Sequence, residues 1–182
     1  MNIMPTAIPE VLLVEPTVHG DERGFFVETW HAERYAKAGI AVPFVQDNQS
    51  RSRRGTLRGL HYQLRRPQGK LVRALAGEVY DVAVDLRRSS ATFRQWIGVL
   101  LSDANQRQLW VPPGFAHGFY VLSERADLAY KCTDYYVGED DRSLRWNDAD
   151  LRIDWPLLDG APPQLSARDA AAPSIRDAPV YG

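Results

Sequence analysis

The sequence predicts a mostly β protein, and three observations support this prediction. Short segments rich in Val, Leu, Phe, Tyr or Trp recur along the chain, Gly, Pro, Asn or paired Ser residues separate them, and their spacing is roughly even. Many short strands at even spacing are typical of a sandwich or a barrel. The predicted strands cover residues 11–14, 25–30, 44–50, 57–63, 70–76, 78–86, 94–101, 107–111, 116–122 and 127–136.

The segment 78–86 alternates most clearly between two kinds of side chain. Its polar face carries Asp81, Ala83 and Asp85, so we expect one face of this strand to be core and the other polar. Polar side chains on inward faces favour a barrel that encloses a ligand cavity over one with a filled core. The apolar face carries Tyr80, Val82, Val84 and Leu86.

Few helices are expected, and they lie at the periphery. Residues 31–39 predict a short helix that ends at Gly39, a residue suited to a C-cap. From about Asp148 the content of Pro and Ala rises, which predicts irregular segments and short helices that wrap the barrel, with residues 177–182 frayed. We therefore expect one domain over residues 1–182, with a barrel core at about 10–137 and a wrapping segment at about 138–182.

Composition excludes several classes of partner. The chain has 182 residues, and its 22 Lys and Arg nearly balance its 23 Asp and Glu, so no overall field attracts nucleic acid or an anionic membrane. Cys132 is the only cysteine and cannot form an internal disulfide. The N-terminal residues resemble neither a signal peptide nor a membrane anchor, so we expect a cytoplasmic protein.

Two of the four histidines lie in conspicuous motifs, 57–63 (LRGLHYQ) with His61 and 112–119 (PPGFAHGF) with His117. Both motifs resemble the paired motifs of cupin barrels, in which the first brings two histidines one residue apart and a glutamate to a metal. Gln63 stands where the second histidine of that pair would be. A transition metal needs three or four N, S or carboxylate ligands, and an amide is a poor substitute. We therefore expect no metal here.

Seven segments occur in the order typical of one enzyme family. They are 21–26 (DERGFF), 45–48 (VQDN), 57–63 (LRGLHYQ), 68–73 (QGKLVR), 77–85 (GEVYDVAVD), 110–119 (WVPPGFAHGF) and 130–131 (YK). The chain thus resembles the dTDP-4-dehydrorhamnose 3,5-epimerase family over nearly its whole length. The resemblance implies a cupin-type jelly-roll barrel with a few short peripheral helices, a homodimer, no cofactor, and a dTDP-linked 4-keto-6-deoxy sugar as substrate in rhamnose biosynthesis.

Epimerisation next to a ketone needs a base, a positive charge for the enolate oxygen and an acid on the opposite face. His61 suits the base because an ordinary imidazole titrates near pH 6.5 and is largely neutral at pH 7. Lys70 shares a face with small apolar residues, which favours an ammonium inside the cavity over one that reaches the surface. The resemblance implies Tyr130 as proton donor and Asp169 as the carboxylate that orients His61, although Ser166 and Asp169 also have the spacing of a helix capping box.

Further residues match substrate-binding positions of the family. His117 is implied to contact the sugar or the enolate oxygen, Phe26 lies between two of the matching positions, and Gln63 lies beside the base. Arg168 is a weaker match because the family commonly has lysine there. The complete set of expected binding residues is Arg23, Phe26, Glu28, Gln46, Asn48, Arg58, Gln63, His117, Asp141 and Arg168.

One of these expectations conflicts with strand periodicity. Strict alternation places His61 and Gln63 inward but Arg58 outward. A bulge or kink at Gly59 would bring Arg58 and His61 to the same side. Regular strand geometry through Gly59, with Arg58 in solvent, would remove Arg58 from the set.

Three alternative functions remain open from the sequence. An epimerase of antibiotic deoxysugars that inverts only C3 or C5 would share nearly every motif, although Tyr130 favours the double reaction. A metal-dependent cupin oxygenase would carry iron or manganese that is lost on changing His61. A sensor without catalysis would bind the nucleotide sugar without exchanging its protons for deuterium.

Overall fold

The computed structural model describes residues 1–182, and it contains thirteen strands and two short α-helices. Two 3₁₀ turns, Gly138–Asp140 and Leu158–Gly160, lie in the C-terminal part. The helices are α1 (Ala32–Lys37) and α2 (Ala167–Ala170). The strands are β1 (Asn2–Pro5), β2 (Leu12–Glu15), β3 (Val18–Asp21), β4 (Gly24–Val27), β5 (Gln46–Arg53), β6 (Leu57–Gln63), β7 (Lys70–Ala76), β8 (Glu78–Asp85), β9 (Trp96–Ser102), β10 (Gln108–Val111), β11 (Phe115–Val121), β12 (Arg125–Cys132) and β13 (Asp141–Ser143).

The strands form two antiparallel sheets that face each other as a cupin-type jelly roll, which confirms the predicted fold class. One sheet has six strands in the order β1-β2-β10-β7-β12-β5, and the other has five in the order β13-β6-β11-β8-β9. Side chains from both sheets meet in one buried cluster, to which Val72 and Leu128 contribute from the first sheet and Val79 and Phe119 from the second. Strands β3 and β4 form a separate hairpin outside both sheets.

All ten predicted strands overlap observed ones, and the bounds of β6 and β7 are those predicted. Three strands were missed: β1, β3 and β13. Each has only three or four residues and no alternating apolar face, so neighbouring strands rather than local pattern place them in sheets. The helix predicted at 31–39 is confirmed as α1, and Gly39 follows it with a φ of 100°.

Strand β8 differs from its prediction because both of its faces are buried. Asp81 and Ala83 face the barrel interior and are fully buried, whereas Val82 and Val84 belong to a second cluster on the other side. The C-terminal segment covers this second side with apolar side chains, among them Trp155. The face of Asp81 and Ala83, predicted to be polar, therefore points into the barrel. The face of Val82 and Val84, predicted to be core, is the one that the C-terminal segment covers.

The last residues are not frayed, contrary to the prediction. The backbone N–H of Tyr181 donates to the carbonyl of Leu86 at 3.1 Å, and Arg88 N–H donates to the carbonyl of Tyr181 at 3.0 Å. The hydroxyl of Tyr62 donates to the carbonyl of Pro179 at 2.5 Å. The tail thus pairs with the five-stranded side of the barrel. None of the helices has the length and apolarity that crossing a membrane requires.

Candidate active site

A cavity of about 280 Å³ lies between the two sheets and brings together residues that are far apart in the sequence. His61 reaches it from β6 of the five-stranded sheet, and Lys70 and Tyr130 reach it from β7 and β12 of the six-stranded sheet. Groups from opposing sheets therefore face the same space. The lining residues are Gln46, Asn48, His61, Tyr62, Gln63, Gln68, Lys70, Tyr130, Tyr136, Asp141 and Arg168.

His61 is paired with a buried carboxylate. Its Nε2 lies 2.6 Å from Oδ1 of Asp169, and its side chain is 32% exposed, whereas that of Asp169 is 4% exposed. An ionised carboxylate only accepts hydrogen bonds, so Nε2 carries the proton that it donates. A neutral imidazole has one N–H, which leaves Nδ1 as the basic nitrogen.

Asp169 has both of the roles that the sequence left open. Its backbone N–H donates to Oγ of Ser166 at 3.1 Å, which caps α2, while its carboxylate accepts from His61. Burial raises the pKa of Asp169, but the hydrogen bond and charge of His61, together with bonds from Ser166 and the backbone of Gly59, lower it further and leave it below its ordinary value. The carboxylate is therefore ionised at neutral pH.

Lys70 presents an ammonium to the cavity without a carboxylate in contact. Its Nζ lies 5.8 Å from the centre of the Tyr130 ring. Burial lowers the pKa of Lys70, and the charges of Cys132, Asp141 and Asp81 offset this only in part. A poorly solvated cation of this kind attracts a developing oxyanion strongly.

Tyr130 is a partly buried phenol beside Lys70. Burial is the main cause that raises its pKa, and the charge of Arg58 acts in the opposite direction. The hydroxyl therefore keeps its proton at neutral pH, which a proton donor requires. Its ring also packs against the interior apolar cluster, which fixes its orientation.

His117 forms a second histidine–carboxylate pair. It lies opposite His61 in the register of β11 and β6, and its Nε2 is 3.0 Å from both carboxylate oxygens of Asp81. Both residues are buried, with exposed fractions of 6% and 0%. The sequence identified His117 but not Asp81, although a carboxylate on an inward strand face was the available signal.

Histidine, cysteine and carboxylate side chains nowhere form a group of three that could hold a metal. His61 and His117 each point Nε2 at one carboxylate. Gln63, the last residue of β6, offers only an amide.

The kink expected at Gly59 is confirmed. His61 pairs with His117 and Arg58 with Phe119, so β6 uses one more residue than β11 over this interval. Gly59 has a φ of 115°, and a Cβ there would lie 2.6 Å from Cα of Gly118. Arg58 and His61 consequently line a second cavity together with Asp169, which shares His61 and Arg168 with the first, so Arg58 stays in the expected binding set.

Three of the four amide side chains that line the cavity differ in which hydrogen-bonding groups remain free. Asn48 donates to the thiol of Cys132 at 3.5 Å, and Gln46 donates to Oδ1 of Asn48 at 3.0 Å. Gln63 donates to the carbonyls of Arg66 and Tyr135 and accepts from Val137 N–H, so both of its N–H groups are used. Gln63 therefore shapes the site but has no donor left for a ligand.

Asp141 and Arg168 meet at one edge of the cavity. Nη1 of Arg168 lies 2.5 Å from Oδ2 of Asp141, and the hydroxyl of Tyr136 donates to the same oxygen at 3.0 Å. Tyr136 is 55% exposed. The sequence did not single out Tyr136, because an aromatic residue at the end of a strand segment gives no functional signal without the fold.

Arg23, Phe26 and Glu28 do not border the cavity of His61 in their own chain. Arg23 pairs with Asp21, Glu28 accepts from Arg34 at 2.8 Å, and neither borders the cavity of His61. The β3–β4 hairpin instead exposes Phe25 and Phe26, by 63% and 69%. Within one chain these residues are separate from His61.

Known proteins resemble this chain in sequence and in fold. A sequence model of the dTDP-4-dehydrorhamnose 3,5-epimerase family matches residues 5–177. Enzymes of this name from Pseudomonas aeruginosa and Salmonella typhimurium are 57% and 53% identical to the chain, over 100% and 98% of it and 99% and 97% of their own lengths. The crystal structure of dTDP-6-deoxy-D-glucose-3,5-epimerase from Legionella pneumophila, in complex with dTDP-4-keto-L-rhamnose, has a TM-score of 0.94 and 58% identity over 97% of this chain and 93% of that one. The chain therefore belongs to the dTDP-4-dehydrorhamnose 3,5-epimerase family.

Proposed function

We propose that the chain inverts C3 and C5 of dTDP-4-dehydro-6-deoxy-D-glucose and so forms dTDP-4-dehydro-L-rhamnose for rhamnose biosynthesis. One observation above all supports this: the base His61 and the acid Tyr130 come from opposing sheets and border the same cavity. Inversion requires that a proton leave one face of the sugar ring and return on the other. Groups on opposite walls suit that requirement.

The proposed chemistry uses only side chains and needs no cofactor. Nδ1 of His61 removes the proton next to the C4 ketone while the carboxylate of Asp169 stabilises the resulting imidazolium. The ammonium of Lys70 stabilises the enolate oxygen, and His117, held by Asp81, contacts the sugar or the same oxygen. Tyr130 then returns a proton from the other wall.

We assign the nucleotide part of the substrate to the cationic and polar side chains that border the cavities around His61. Arg58 and Arg168 border the cavity around His61 and Asp169, and arginine binds diphosphate oxygens well. Gln46, Asn48 and Asp141 provide polar contacts to the ligand. Gln63 contributes indirectly, because it accepts a hydrogen bond from the backbone N–H of Val137 and so positions that segment. Tyr136 adds an aromatic surface in the neighbouring cavity, which Lys70 and Tyr130 line.

We propose a homodimer in which the β3–β4 hairpin of one subunit completes the site of its partner. Phe25 and Phe26 of the hairpin both leave most of their apolar surface in contact with water. A partner subunit would cover them and could place Arg23, Phe26 and Glu28 next to the ligand. No role for nucleic acid or membranes is proposed.

We further propose that residues 1–182 act as one epimerase domain in the cytoplasm. The charged diphosphate of the substrate does not cross a bilayer unaided, so the enzyme belongs in the compartment that supplies it. The unpaired thiol of Cys132 fits a reducing compartment.

The test is incubation with dTDP-4-dehydro-6-deoxy-D-glucose in heavy water, followed by NMR at C3 and C5. Deuterium at both carbons supports the proposal, deuterium at one carbon supports the single-carbon epimerase, and deuterium at neither rejects an enzymatic role. His61→Ala is expected to abolish exchange while circular dichroism remains that of the parent. Exchange retained by this variant would show that another group is the base.

A further inference from the structure

Two glutamine side chains hold three consecutive residues at the edge of the active site. The segment Tyr135, Tyr136 and Val137 lies between β12 and the Gly138–Asp140 turn and belongs to no strand. Gln63 donates to the carbonyl of Tyr135 at 3.2 Å and accepts from the N–H of Val137 at 2.6 Å. Between these two bonds, Oε1 of Gln46 accepts from the N–H of Tyr136 at 2.9 Å.

Both N–H groups of the Gln63 side chain are used in hydrogen bonds to the backbone. Its amide nitrogen also donates to the carbonyl of Arg66 at 2.8 Å, so both N–H groups are used, and the residue is 3% exposed. A primary amide has only two N–H donors. Gln63 therefore binds the protein's own backbone and cannot donate to a ligand.

Tyr136, which stands between the two clamped groups, is held at its other end as well. Its hydroxyl donates to Oδ2 of Asp141 at 3.0 Å, and that carboxylate is paired with Arg168. The residue nevertheless stays 55% exposed and borders the same cavity as His61. An aromatic ring fixed at both ends, with its surface left open beside a cavity, is suited to stack against a planar ring such as a nucleotide base.

We propose that Gln63 is a positioning residue that fixes Tyr136 for binding of the nucleotide base and takes no part in proton transfer. This inference rests on the proposed function, because it assumes a nucleotide sugar as ligand. It also gives a physical reason for the amide at this position. Where the resemblance to metal-binding cupins places a metal ligand, this chain has a clamp for a binding loop.

The test variant is Gln63→Met, which keeps the length of the side chain and removes its hydrogen bonds. We expect KM for the nucleotide sugar and Kd for dTDP alone to rise about tenfold, with kcat within about threefold of the parent, because binding and not chemistry is altered. Gln106→Met is the matched control, since Gln106 is also buried and donates to a backbone carbonyl, that of Asp103, outside the site. This control is expected to change stability alone.

A double-mutant cycle shows whether Gln63 acts through Tyr136. Tyr136→Ala should raise Kd for dTDP by itself, and adding Gln63→Met to it should raise Kd no further. If the increase in Kd of the double variant equals the product of the increases of the two single variants, the two residues act independently and the inference is wrong. An unchanged Kd in Tyr136→Ala would also overturn it. So would a loss of kcat with unchanged KM in Gln63→Met.

Two further measurements keep the test decisive. If Gln63→Met does not fold, Gln63→Glu replaces it, because a carboxylate still accepts from Val137 N–H but cannot donate to the two carbonyls. If the wild-type protein binds dTDP but does not exchange deuterium, the proposed reaction is wrong, and the dTDP affinities of the same variants still decide the role of Gln63.

Discussion

Asp169 connects the fold to the chemistry through one carboxylate. It is buried at the start of a four-residue helix and accepts a hydrogen bond from His61 at 2.6 Å. Asp169→Asn keeps the shape of the side chain but removes the charge that stabilises the imidazolium. We expect kcat to fall by about 100-fold or more, with little change in KM, because the charge matters only once the proton has been transferred.

Steady-state kinetics of Asp169→Asn beside Asp150→Asn provide the measurement. Asp150 also lies in the C-terminal segment and pairs with Arg176 at the surface, so its change should leave kcat alone. Equal effects of the two substitutions would show that Asp169 has only a structural role.

Lys70 is expected to set the alkaline limit of activity. Burial lowers its pKa below the ordinary 10.5, whereas burial raises the pKa of Tyr130 above the ordinary 10.0. As the pH rises, Lys70 therefore loses its proton at a lower pH than an exposed lysine would, and the enolate then lacks its cation. The profile of kcat/KM against pH should fall on its alkaline side below 10.5.

Lys70→Arg tests this assignment. Guanidinium stays protonated up to about pH 12, so the alkaline fall should move to higher pH even though the different geometry lowers kcat. A fall at the same pH in both proteins would mean that some other group causes it.

At the residue scale, the sequence predicted the individual chemical groups better than their partners. The resemblance and the residue types identified His61, Lys70, Tyr130 and Asp169. In the structure the first three line one cavity, and Asp169 contacts His61. Asp81 was assigned only to a polar strand face, because its partner His117 lies 36 residues away and pairing at that distance depends on strand register. Gln63 was expected to bind substrate, since its commitment to the backbone of residues 135 and 137 is a tertiary feature.

The kink of β6 is an element-scale feature that depends on one glycine. At Gly59 a φ of 115° disfavours any side chain, and an added Cβ would lie 2.6 Å from Cα of Gly118. Gly59→Ala is therefore expected to lower the free energy of unfolding by about 3 kcal/mol, measured by urea titration. The loss combines backbone strain with a collision against β11.

Gly39→Ala separates these two causes. Gly39 has a φ of 100° but nothing within 4 Å of the added Cβ, so it carries the strain alone. We expect a loss of about 1 kcal/mol there. If the two variants lost the same stability, close packing of β6 against β11 would contribute nothing.

The C-terminal end contacts β6, the strand that carries His61. The hydroxyl of Tyr181 donates to the carbonyl of Gln63 at 2.6 Å. Tyr181→Phe is expected to lower the free energy of unfolding by about 1 kcal/mol because it removes this bond from a buried carbonyl. Tyr135→Phe, at a residue that is 57% exposed, should stay within about 0.5 kcal/mol of the parent in the same urea titration, and a similar loss in both would exclude this role for Tyr181.

At the scale of the whole molecule, periodicity predicted the barrel and composition predicted a C-terminal segment that wraps it, but neither predicted which face this segment covers. Alternation in β8 indicated one core face, yet the structure buries both, because the tail lies over Val82 and Val84 on the outside. A tail rich in proline and alanine has no period from which its contact face could be read. The same limit applies to the β3–β4 hairpin, whose exposed phenylalanines have no partner in their own chain to explain them.

Mixing two inactive variants tests whether the hairpin completes the site of a partner subunit. His61→Ala and Arg23→Ala are each expected to lose most activity, the first by losing the base and the second by losing a ligand contact. If Arg23 acts across the dimer, a mixed dimer has one site that lacks both residues and one that has both. Unfolding and refolding the variants together at equal amounts should therefore restore about a quarter of the wild-type rate, since about half of the dimers are mixed and each has one complete site.

The same mixture distinguishes the other arrangement. If Arg23 served the His61 of its own chain, every site in every dimer would lack one of the two residues, and the mixture would stay as inactive as its components. If sedimentation shows a dimer but the mixture recovers no activity, the proposed homodimer stands and the proposed site shared between subunits is wrong. Recovered activity would explain why the hairpin leaves two phenylalanines in solvent within one chain, because their cover and their ligand would both belong to the partner.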